Sequence, residues 1–72
     1  MAHDRSTTVV VRAEAPRIVV RWAETLVRGE GGPLRMWQHW QVVVGRVVAS
    51  RHDLRAQAVA QAEHILAVRR AS

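Results

Sequence analysis

Two runs of valine separated by a Gly-Arg pair constrain the fold of this chain more than any other feature. Val42-Val43-Val44 and Val47-Val48 flank Gly45-Arg46, and a two-residue loop that begins with glycine suits a type II′ hairpin turn, because only glycine takes a positive φ there without strain. Such a turn sets the register. Val44 faces Val47, Val43 faces Val48 and Val42 faces Ala49, so Trp40, Val42, Val44, Val47 and Ala49 line one face for packing. Ser50-Arg51-His52-Asp53 then fits the Ser-x-x-Asp form of a capping box. Behind it Leu54, Ala58, Ala62 and Ile65 recur at helical spacing, so a helix is expected to follow the hairpin directly and cover its Trp40 face.

Upstream, Met1 to Ser6 is polar with nothing to bury and reads as a flexible N-terminal arm, leaving 7–72 as a single α+β domain. Thr7 to Arg12 is rich in β-branched residues and reads as a strand, with Ala13-Glu14-Ala15-Pro16 as the connection. Arg17 to Arg28 fits two periods. As a strand it sets Ile18, Val20, Trp22 and Leu26 against Arg17, Arg21 and Thr25, with Glu24 the one violation; as a helix, Pro16 takes the first position and Gly29 the C′ position. The β-branched cluster Ile18-Val19-Val20 favours the strand. Gly29-Glu30-Gly31-Gly32-Pro33 can continue neither structure and is a loop. In Leu34 to Val44 a helix would put Gly45 and five valines in unfavourable positions, about 1 kcal/mol for the glycine alone, so a strand is expected. The fold class is therefore α+β: a small antiparallel meander of three to four strands packed on one C-terminal α-helix.

At 72 residues and without cysteine, the chain has neither a large core nor disulfides to compensate for the small one, which favours oligomerisation, here a homodimer. No apolar stretch approaches the roughly 20 residues of a membrane span and Met1 to Thr8 has no hydrophobic signal region, so a cytoplasmic protein with no membrane partner is expected. The net charge is +5, and all eleven cationic side chains are arginine. A polyanion is the natural partner, and the planar guanidinium is the better fork for phosphate and guanine edges. A GC-rich genome accounts for arginine in place of lysine equally well, but not for the excess of charge.

Alternation puts Arg12, Arg17, Arg21, Thr25, Trp37, His39 and Gln41 on the face away from the helix. Arginines there can neutralise phosphates, Trp37 can stack, and His39 and Gln41 can bond to base edges. Arg12, Arg17, Arg21, Arg46, Trp37, His39 and Gln41 are thus the candidate site for nucleic acid, DNA ahead of RNA, in a small module of bacterial or phage type. Trp22 and Trp40 are expected in the core. No enzyme is expected. His3, His39, His52 and His64 show no His-x-His or His-x-x-x-His spacing, the serines Ser6, Ser50 and Ser72 fall in an arm, a cap and a terminus, and the glycine loop lacks the Lys-Ser/Thr of a phosphate loop. No cofactor or metal is therefore expected. The competing reading is a compact protein-interaction module, antitoxin-like or a phage-encoded inhibitor, acting through exposed valines and Trp37 on a protein target.

Overall fold

A computed structural model of the chain describes residues 7–71. The segment read as an N-terminal arm, 1–6, lies outside the described residues. Four strands, β1 (Val9–Arg12), β2 (Ile18–Arg28), β3 (Leu34–Val44) and β4 (Val47–His52), precede one helix, α1 (Arg55–Ala71). They form one antiparallel sheet in the order β1-β2-β3-β4, with α1 packed on it. The α+β meander is the architecture expected, with all four strands formed.

Arg17 to Arg28 resolves to strand because it has a long partner of matching pattern. β2 and β3 pair without interruption from Ile18↔Val44 to Arg28↔Leu34, and the Gly29–Pro33 loop closes on a bond from Gly32 N–H to Gly29 C=O of 2.9 Å, with Gly31 at φ 66°. This register puts Ile18, Val20 and Trp22 opposite Val44, Val42 and Trp40. On that face Ile18, Val20, Trp40 and Val42 bury against Ala58 and Ala62 of α1, with Val9, Val11, Trp22, Val44, Val59, Ile65 and Leu66 around them. Each fully buried aliphatic chain contributes about 1.5–3 kcal/mol. Trp22 meets Trp40 edge to face at 5.3 Å between ring centroids, and the Arg55 guanidinium lies 5.9 Å from the Trp40 ring centre. No helix of the described residues is long and apolar enough to cross a membrane.

Gly45 sits at φ 63°, and among the described residues none other than glycine has positive φ, so Arg46 is negative and the turn is of the II′ rather than the I′ kind. Val44↔Val47 and Val43↔Val48 pair as the turn dictates. The next pair departs from expectation. A bulge shifts the register so that Val42 faces Ser50, not Ala49, and pairing runs on through Gln41↔Arg51 to Trp40↔His52. Ala49 is the inserted residue and leaves the packed face.

The capping box is overturned for the same reason. Ser50 is held in β4, where its hydroxyl lies 2.8 Å from His52 Nε2. Continued ladder pairing delays the helix to Arg55, and the first i→i+4 bond runs from Ala58 N–H to Leu54 C=O at 3.2 Å. Leu54 therefore occupies the N-cap, where it is 59% exposed rather than part of the core. A second bulge, between Val10 and Arg12, puts Arg12 opposite Ile18, a residue of the helix-covered side. That removes Arg12 from the alternation expected of it.

Two stability outcomes follow. Gly45→Val should cost at least about 1 kcal/mol in denaturant unfolding, because a β-branched residue is forced to positive φ. Leu54→Asp should gain about 0.5–2 kcal/mol by supplying a side-chain acceptor for the free N–H groups of the first turn, which carries no acidic residue; an unchanged denaturation midpoint would place the N-cap elsewhere.

Candidate nucleic-acid interface

The face turned away from α1 is organised in rows that run across the strands. Val10, Val19, Val43 and Val48 form the first; Arg21, Gln41 and Arg51 the second; Ala23 and His39 the third; Thr25 and Trp37 the fourth; Val27 and Arg35 the last. Among the described residues of the strands, three arginines stand on this face and no carboxylate does. Glu24, the one acidic residue within the strands, pairs with Gln38 on the helix side. There its Oε2 accepts bonds from Trp22 Nε1 and Gln38 Nε2, both at 3.2 Å.

His39 and Gln41 sit on this face as expected, yet both are buried. Their neighbours cover them. The Trp37 ring lies against the His39 ring at 4.2 Å between centroids, tilted by 34°, and the Arg51 guanidinium reaches to 5.9 Å from the Trp37 ring centre. Trp37 itself remains 42% exposed.

Beneath this cover runs a chain of hydrogen bonds with one consistent direction. Arginine only donates, so Arg21 Nε donates to Gln41 Oε1 at 3.0 Å. That orientation turns the Gln41 amide nitrogen to His39 Nε2, 3.2 Å away, which must therefore accept. The ring proton is then on Nδ1, which donates to the Trp37 carbonyl oxygen at 3.2 Å. His39 and Gln41 thus spend their polar atoms on fixing Trp37 and Arg21 rather than facing solvent, and no buried side-chain polar atom among the described residues is left without a partner.

The other sequence candidates separate in space. Arg21 stays central, half-way along β2. Arg12 is engaged by the Ala15 carbonyl at 3.4 Å and lies 3.8 Å from a Glu14 carboxylate oxygen, at the β1 edge. Arg17 and Arg46 are exposed at the end of the sheet where Gly45 N–H donates to the Arg17 carbonyl at 2.7 Å. Val44 there lies seven residue steps along β3 from Trp37, roughly 24 Å of strand. Arg35 and Arg51 were not among the candidates. Arg35 was legible, two residues before Trp37 in the same alternation; Arg51 was not, because the bulge at Ala49 decides its face. Among the described residues no group of His, Asp and Glu could hold a metal ion.

The direction of the chain is testable by nitrogen NMR of the imidazole, which should report His39 as the Nδ1–H tautomer. Gln41→Ala should cost about 1–3 kcal/mol, because it leaves a buried acceptor without its donor. A spectrum of the Nε2–H form would reverse the Gln41 amide and break the link to Arg21.

No family model, curated protein or solved structure matches the chain, so the arrangement of its residues has to carry any functional reading.

Proposed function

We propose that the chain is a non-enzymatic nucleic-acid-binding module that lays its open sheet face on a phosphate backbone. What carries the reading is the segregation of charge: Arg21, Arg35 and Arg51 share a face on which no carboxylate stands among the described strand residues. In a chain of net charge +5 this concentrates positive potential on one flat surface. Arg21 and Arg51 flank Gln41 on either side, so their backbones stand about 10 Å apart, enough to reach separate phosphates. The Arg51 guanidinium, 5.9 Å from the Trp37 ring centre, keeps its N–H donors for phosphate. Trp37 adds an exposed aromatic surface on which an unpaired base can stack. Nothing in this arrangement reads base edges, so binding is independent of sequence.

A second reading rests on a separate observation. Leu26, Leu34 and Met36 are 58%, 52% and 54% exposed near the tip of the β2–β3 hairpin, and such a patch suits a protein partner.

Titration of affinity against salt separates the two. Binding to duplex DNA should weaken with a slope near −0.9 per phosphate contact in log–log form, and to single strands near −0.7. Arg21→Ala with Arg51→Ala should flatten the slope by about two contacts for every sequence, while Trp37→Ala should cost single-strand affinity about 1–3 kcal/mol with the slope unchanged. Absence of salt-dependent affinity for DNA or RNA at low ionic strength would leave the protein-partner reading in first place.

A further inference from the structure

β1 pairs with β2 only through Ile18–Val20, but β2 runs on to Arg28. From Ala23 outward, the backbone groups on that side of β2 meet no strand of the described residues. Such an edge is a template for another strand, and bulges are one way in which proteins blunt it. Both outer strands are blunted in this way, at Val10/Arg12 and at Val42/Val43. The projecting part of β2 carries no bulge, and its register with β3 is regular to the tip.

We propose that the Ala23–Arg28 edge of β2 pairs antiparallel with the same edge of a second copy, about a two-fold axis through Leu26. The choice of occupant and register comes from charge. A two-fold axis normal to the sheet keeps both helices on one side, so residues that meet must share a face, as Glu24, Leu26 and Arg28 do on the helix side. An axis through Glu24 or Arg28 sets like charges opposite each other. Axes through Ala23, Thr25 or Val27 place Glu24 or Arg28 against Trp22 or Leu26. The axis through Leu26 alone sets Glu24 opposite the partner's Arg28, twice by symmetry, and brings the exposed Leu26 against the partner's Leu26. Glu24 is held ready, since Trp22 and Gln38 both bond to one of its oxygens. The matching edge of β3, Leu34 to His39, contains no carboxylate to meet Arg35. Main-chain bonds supply attraction and the crossed ion pairs supply register. The two sheets become one, and their arginine-bearing faces run on continuously.

Analytical ultracentrifugation of the full chain without nucleic acid tests this independently of the binding reading. The wild type should dimerise in the micromolar range. Glu24→Arg alone and Arg28→Glu alone each put like charges opposite at both ion-pair positions and should raise the dissociation constant by about 10-fold or more. An equal mixture of the two single variants should form heterodimers, in which one ion pair is native and the other is restored with reversed origin, and the double variant, with both pairs reversed, should dimerise with itself. Should Glu24→Arg fail to fold after losing its bonds to Trp22 and Gln38, Arg28→Glu against Arg28→Lys decides, the first losing the dimer and the second keeping it. A wild type that stays monomeric at hundreds of micromolar, a dimer indifferent to Arg28→Glu, or folded single variants whose mixture stays monomeric would overturn the proposal.

Discussion

The unbroken pairing of β2 with β3 is the constraint on which the remaining structure depends. Because side chains alternate across a strand, one register settles two surfaces at once. Opposing Ile18 with Val44 puts Val20 on Val42 and Trp22 on Trp40, which makes the face that α1 covers. The same choice puts Arg21 beside Gln41 and Thr25 beside Trp37 on the other side. A slip of β2 by one residue would send Arg21 to the core side and Trp22 to the open face, parting it from Trp40. Core and candidate site therefore cannot vary independently.

The helix is fitted to this sheet by small side chains. Ala58 and Ala62 are its fully buried positions, which lets the helix backbone approach the strands closely while Ile65 and Leu66 reach over the flank. One helix of this kind cannot cover strands of 11 residues. Beyond the Trp22–Trp40 contact the hairpin extends, among the described residues, with only its own two strands, and the radius of gyration is 13.9 Å, against about 11 Å for a compact domain of this length. Buried packing is concentrated towards the Gly45 end, and exposed apolar surface towards the Gly31 end.

What could be read in the linear sequence followed from local chemistry. Gly45 announced its turn because no other residue fits, and Ile18-Val19-Val20 resisted a helix because β-branched chains crowd one. Trp22 and Trp40 could be assigned to the core, and Trp37 to the opposite face, from alternation alone. The failures share a cause. Ser50 was misplaced because the β4 ladder runs on past it, and Arg12 because a bulge reverses the alternation of its strand, and neither event is written in the local pattern. The burial of His39 and Gln41 was hidden for a related reason. Their cover comes in part from Arg51, ten positions beyond Gln41, and its arrival depends on a register that no local pattern encodes.

The bulge at Ala49 acts as a phase shifter for the end of β4. Had the ladder continued without it, Ser50 would have stood opposite Gln41 and Arg51 opposite Trp40, sending a guanidinium under the helix and a hydroxyl to the open face. One inserted alanine reverses that parity. It transfers a full positive charge from the apolar side of the sheet to the polar one and delivers the Ser50–His52 pair in exchange, without changing the composition of the strand. The electrostatic character of the open face is thus set by a counting device, a residue whose own side chain contributes almost nothing.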